Sequence, residues 1–123
     1  MEAPVPTTKR AAKAIEVDAP VTCCASVTAA ALDEADAIEL AALLKVLADP
    51  ARLRLLSLIT SAPSGEACAC DLGEVVGRSQ PTISHHLALL VDAGLITREQ
   101  RGRGAWYRAV PAQLAAVRDA LAP

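Results

Sequence analysis

The chain has 123 residues, 53% of them apolar, no phenylalanine and a formal net charge of −2. That length suits one domain with a tail, and with Trp106 and Tyr107 as its aromatics the core has to be built from Leu, Ile, Val and Ala. The slightly acidic balance argues against indiscriminate nucleic-acid binding, and no run reaches the ~18 apolar residues that a membrane span needs.

Residues 1–33 are rich in Ala, Pro, Thr and Val without a sustained period, and read as a mobile arm with a short helical patch around 9–17. The first twenty residues, with Pro4, Pro6, Lys9, Arg10, Lys13 and Pro20, hold no signal-peptide hydrophobic region. The expected location is therefore cytoplasmic. There, Cys23 and Cys24 in the arm and Cys68 and Cys70 further on are expected to be thiols that bind or sense something rather than structural disulfides.

The domain proper is expected over residues 34–123. Ile38, Leu40, Ala41, Leu43, Leu44 and Leu47 predict a first helix with a broad apolar face, ended before Pro50. Residues 51–60 predict a second, and 61–66, with Pro63 and Gly65, a loop. Cys68-Ala-Cys70 leads into a short helix over 71–76. A Gly77-Arg78-Ser79 link then has the length and composition of the turn in a helix-turn-helix.

The next stretch, 79–90, organises the chain. Ser79 is placed as an N-cap and Pro81 is harmless so near a helix start. Ile83, Leu87, Leu90 and Val91 form one apolar stripe, while Gln80, Thr82, Ser84 and His85 crowd short hydrogen-bonding groups into the first two turns. His85 projects away from the stripe and His86 lies nearer to it. Gly94 is expected to end this helix in the left-handed conformation.

Residues 95–99 and 105–110 are strand-like and joined by an Arg/Gly loop, the signature of a hairpin wing. Arg101 and Arg103 in that loop suit phosphate or minor-groove contact, because flexible cations neutralise backbone charge without needing a base sequence. Residues 78–108 carry Arg78, Arg98, Arg101, Arg103 and Arg108 against Asp92 and Glu99, a local charge of +3 that leaves −5 elsewhere. One face is thus expected to be basic in an otherwise acidic protein. A last helix, 112–121, carries Leu114, Val117 and Leu121 as its stripe and enough alanine to pack closely on its twin.

LADPARLRLLSLI (47–59), EACACDL (66–72), SQPTISHHLALL (79–90) and the hairpin from Gly94 to Arg108, in that order and spacing, resemble the ArsR/SmtB family of metal-responsive winged-helix repressors. The resemblance covers about residues 34–121. It implies a mainly α fold with a small β-hairpin: a winged helix-turn-helix homodimer, held by its first and last helices, that represses transcription until a toxic metal or metalloid ion releases it from operator DNA. Such a dimer places two recognition helices in successive major grooves, about 34 Å apart. The DNA-reading set is then Arg78, Ser79, Gln80, Thr82, Ser84, His85, Arg101 and Arg103. The family's zinc type with ligands on the last helix is not supported, since that helix has Asp119 but no histidine. Its thiolate type uses the Cys-x-Cys, here Cys68 and Cys70, and some arsenic-responsive members carry a thiol pair resembling Cys23–Cys24.

Soft thiolates select soft or borderline ions. Three suit As(III) or Sb(III), the first expectation for the inducer, and four suit Cd(II), Pb(II) or Zn(II), the alternative. Cys70 at a helix N-terminus sits where the dipole favours a thiolate. Residues i and i+2 of a regular helix point about 200° apart. Cys68 and Cys70 can therefore share an ion only if Cys68 precedes the helix or the helix start is distorted. A structural zinc site and a small thiol enzyme are more remote readings. The enzyme lacks a Cys-x-x-Cys, a phosphate loop and a plausible base, so no catalytic residue is assigned.

Overall fold

A computed structural model describes residues 24–77 and 79–123. Cys23, Arg78 and the helical patch expected at 9–17 lie outside the described residues. The order of elements is α1 (Glu34–Leu47), α2 (Pro50–Ser61), β1 (Glu66–Cys68), α3 (Ala69–Val76), α4 (Gln80–Asp92), β2 (Ile96–Arg101), β3 (Gly104–Ala109) and α5 (Pro111–Leu121). The three strands form one antiparallel sheet in the order β1-β3-β2. No described helix is long and apolar enough to cross a membrane.

Each helix start has a local cause. The Asp33 carboxylate accepts from the Asp36 amide at 2.8 Å and starts α1. Asp49 accepts from the amides of Ala51 and Arg52 and starts α2, with Pro50 in the first turn where its missing N–H costs nothing. Ser79 accepts from the Thr82 amide and starts α4 in the same way.

The centre of the core is where α2 and α4 meet the base of the sheet. Leu55, Ile59, Ile83, Leu87, Leu90, Leu95 and Ile96 are all fully enclosed. At about 1.5–3 kcal/mol for each buried branched side chain, these seven outweigh any surface pair described below. They also fix the orientation of α4: Ile83, Leu87 and Leu90 point inward, so Gln80, Thr82, Ser84 and His85 point out.

Four features depart from the sequence reading. β1 was not expected; it is three residues long, too short to show a period, and it extends the hairpin into a three-stranded sheet. α3 begins at Ala69 rather than 71, because Cys68 is its cap residue. On α5 the inward face is Gln113, Val117 and Ala120, while Leu121 is 51% exposed. Gln113 turns inward because its Nε2 donates to the Ala93 carbonyl at 3.0 Å. The same amide nitrogen would lie 3.3 Å from a Cβ on Gly94, whose φ is +76°. The expected broad face of α1 is fully buried at Leu40 and Leu43 and partly buried at Leu44 and Leu47, while Ile38 stays 62% exposed.

The chain ahead of α1 is fastened to the end of α5. The Val27 amide donates to the Ala120 carbonyl at 2.8 Å and the Thr28 hydroxyl to the Ala122 carbonyl at 2.5 Å.

Candidate nucleic-acid interface and thiol pair

α3 and α4 form the helix-turn-helix. Gly77, at φ +76°, closes α3 with its amide on the Gly73 carbonyl, a left-handed turn that a side chain would oppose. Beyond the turn, Ser79 spends its oxygen on capping and on Thr82: its hydroxyl donates to Thr82 Oγ1 at 3.0 Å while accepting the Thr82 amide. Gln80, Thr82, Ser84 and His85 are all exposed along the first turns of α4. His86 is half-buried and its Nδ1 lies 3.0 Å from Arg52 Nη1 on α2. As Arg52 can only donate, Nδ1 accepts. Arg52 also donates from Nε to the Val46 carbonyl at 2.6 Å, and so ties the end of α1, the start of α2 and the recognition helix together.

The wing is the β2–β3 hairpin, with Arg101 paired to Gly104 and Gly102-Arg103 as a two-residue turn. Gly102 takes φ +59°, as tight hairpin turns require, and Arg103 is exposed at the tip. Arg101 differs from Arg103. The expectation that both are flexible loop cations does not hold, because the Arg101 guanidinium makes a forked pair with Glu66 at 2.7 and 2.9 Å. It also donates to Glu99 at 2.7 Å and stacks 5.1 Å from the Trp106 ring centroid. The hydrogen bond that Arg101 donates to Glu66, then the one it donates to Glu99, raises its pKa above its already high ordinary value. Arg108 donates to the same Glu66 at 2.9 Å.

The thiol pair stands at the junction of sheet and helix-turn-helix. Cys68 is the last residue of β1 and has extended backbone, φ −82° and ψ 139°, and Cys70 sits in the first turn of α3. The helical 200° separation therefore does not apply. The two sulfurs meet, joined to one another, with the Cα atoms 5.2 Å apart. The sequence expectation of free thiols is thus not met at this pair, which is oxidised here; the Cys70 amide donates to Cys68 Sγ at 3.3 Å, an arrangement that in the dithiol form favours negative charge on that sulfur. Cys68 is buried and Cys70 exposed, so the pair is reachable from one side. Cys24 packs against the edge of the core and is not a free thiol. Among the described residues no group of three or more His, Cys, Asp or Glu side chains is gathered in metal-holding geometry.

Two residues that matter here were not singled out from sequence. Arg52 lay in the LADPARLRLL phrase without a partner in view. Glu66 stands next to the cysteine motif, but its partners are 35 and 42 residues away.

The comparisons with known proteins agree with this arrangement. Residues 49–98 match the family model described as bacterial regulatory protein, arsR family. The arsenical resistance operon repressor of Staphylococcus aureus is 47% identical over 70 residues, which cover 57% of this chain and 64% of that protein, less than two thirds of its length. The HTH-type transcriptional regulator NmtR of Mycobacterium tuberculosis is 32% identical over 90 residues, 73% of this chain and 72% of that protein. Among solved structures, the AntR antimony-specific transcriptional repressor superposes with a TM-score of 0.61 at 33% identity, covering 74% of this chain and 81% of its own. With its winged helix-turn-helix and these relatives, the chain belongs to the arsR family of bacterial regulatory proteins.

Proposed function

We propose that the protein is a repressor that binds operator DNA as a homodimer and leaves it when As(III) or Sb(III) binds its cysteine thiolates. The observation that carries this reading is the convergence of Cys68 and Cys70 at the start of α3, the first helix of the element that faces DNA. In the dithiol form this pair offers two soft sulfurs on a fixed frame. Cys24, and Cys23 beside it, are the sulfurs that complete a set of three for As(III), or of four for Cd(II), Pb(II) or Zn(II). The arsenical and antimony-specific names of similar repressors favour the metalloid.

DNA contact is assigned to Arg78 and Ser79, which precede the recognition helix in sequence, to Gln80, Thr82, Ser84 and His85 in its first turns, and to Arg103 at the wing tip. Ser79 acts chiefly through the shape of the helix start, since its hydroxyl is engaged with Thr82. Arg101 serves the wing from within. The half-covered faces of α1 and α5, with Ile38 and Leu121 exposed, are assigned to the second copy.

The test is fluorescence anisotropy of a labelled duplex that the protein has selected from random-sequence DNA. Arsenite should dissociate the complex of the native chain. Cys68→Ser combined with Cys70→Ser should still bind the duplex but ignore arsenite. Release by Cd(II) or Pb(II) with arsenite inert would replace the metalloid by the four-thiolate reading. Unchanged arsenite release from the double variant would remove the Cys68–Cys70 pair as the inducer site.

A further inference from the structure

We propose that Glu66 is a positioning residue that latches the wing to the thiol-bearing strand, so that an ion taken up at Cys68 moves the wing arginines as well as α3. This rests on the reading of Cys68–Cys70 as the inducer site.

Three observations carry it. First, Glu66 and Cys68 are the two ends of β1, and both are registered on the wing strand: Glu66 opposite Arg108 and Cys68 opposite Trp106. Second, the Glu66 carboxylate, only 14% exposed, is the common acceptor of Arg101 on β2 and Arg108 on β3. One anion therefore fastens both strands of the wing to β1. Third, the other end of β1 touches the same wing. Cys68 Sγ lies 3.6 Å from the position a Cβ would take on Gly104, next to the turn that carries Arg103, and Trp106 Nε1 is equally near that point. Arg101, stacked on Trp106, closes the circuit.

In sequence Glu66 falls outside the basic stretch 78–108; in space it sits within it. Together with Glu99 it offsets the charge of Arg101 and Arg108, and leaves Arg98 and Arg103 as exposed wing cations without a carboxylate partner among the ion pairs described. Once a thiol reductant has opened the Cys68–Cys70 bond to the dithiol, drawing the two sulfurs around an ion must shift β1, and the forked Glu66–Arg101 pair tolerates little sliding because both of its hydrogen bonds depend on one geometry. The wing follows the strand.

The experiment uses the full chain, its cysteines reduced beforehand with a phosphine, arsenite as the probe, and two readouts. Anisotropy of the selected duplex and of a random duplex reports DNA binding. Emission of Trp106, the chain's one tryptophan, reports ion uptake beside Cys68. Glu66→Gln should release Arg108 and leave Arg101 to Glu99 alone, strengthen binding to both duplexes, and steepen the dependence of log affinity on log salt by about one contact. Arsenite should still change its Trp106 emission over the wild-type concentration range. The loss of operator affinity that arsenite causes, typically ~5–150-fold for an allosteric ligand, should shrink in this variant to a few-fold. Glu66→Asp, which keeps the charge, should restore part of the response. Arg101→Gln, which breaks the latch from the wing side without exposing a new cation, should lose the response without the gain in random-DNA affinity. A wild-type complex that arsenite does not dissociate would refute the thiol inducer and the latch with it. A responsive wild type with equally responsive Glu66→Gln and Arg101→Gln variants would refute the latch alone.

Discussion

Replacing Arg52 with alanine should damage the protein more than any other single change of a charged side chain on α2. The Arg52 side chain is 14% exposed, and its guanidinium donates to the Val46 carbonyl at 2.6 Å and to His86 Nδ1 at 3.0 Å. Hydrogen bonds from a charged donor are worth about 1.5–3 kcal/mol each. The Asp49 carboxylate, 3.8 Å away and 30% exposed, adds little. Allowing for water that enters the vacated space, Arg52→Ala should cost about 2–4 kcal/mol. For a domain of this size that is a melting-point drop of roughly 10–20 °C at fixed protein concentration. Arg52→Lys keeps the charge but not the fork, and should lose about half as much. The assay is thermal or urea unfolding followed by circular dichroism, run beside duplex binding. Because His86 is on the recognition helix, duplex affinity should fall even at temperatures where Arg52→Ala is fully folded. A variant that melts within about 2 °C of wild type and binds DNA normally would show that the three-way tie carries no weight.

Gly94→Ala places a Cβ at φ +76° and 3.3 Å from the buried Gln113 amide, so it should destabilise by about 1–2 kcal/mol, seen as a lower urea midpoint with an unchanged slope. Acid should also weaken the fold in a defined range. The hydrogen bond from Arg101 holds the Glu66 carboxyl below the ordinary glutamate value of 4.5, and the Arg52 amide does the same for Asp49 below 3.8. Carboxyls depressed in the folded state bind fewer protons there than in the unfolded chain, so their stabilisation is complete above those ordinary values and is lost as pH falls through the folded ones. Urea midpoints should therefore be insensitive to these two groups from neutrality to about pH 5 and decline below about 4.5, with a shallower decline for Glu66→Gln.

Much of this arrangement could be read from the amino acids because it is written in local terms. Ser79, Pro81 and the Ile83–Leu87–Leu90 spacing specify a capped helix and its inward face without help from the rest of the chain, and Gly94 marks its end. What escaped the reading depends on distant partners. Nothing near Arg101 reveals that its guanidinium is engaged by a glutamate 35 residues earlier, so a loop cation and a structural cation look alike. Gln113 reads as a surface residue until the Ala93 carbonyl is brought beside it, so the stripe of Leu114, Val117 and Leu121 did not reveal that Gln113 and Ala120 join Val117 on the inward face. The cysteine pair fell between these cases. Its spacing was evident, but whether the sulfurs could meet depended on Cys68 belonging to a three-residue strand that exists only because β3 is there to pair with it.

The order β1-β3-β2 leaves β2 as an outer strand of the sheet, with one side of its backbone unpaired by any neighbour described here. Such borders invite another chain to add itself, and the usual safeguard is charge and polarity along the rim. From Thr97 to Arg101 every residue of β2 is polar and exposed, and both signs of charge are present. A second wing brought alongside would meet Arg98, Glu99 and Arg101 in fixed succession, each hydrated or already matched within its own subunit. Two copies of the chain that meet are thus kept from zipping their sheets together, and a variant that made this rim apolar would be expected to aggregate through its wings while its helices remained intact.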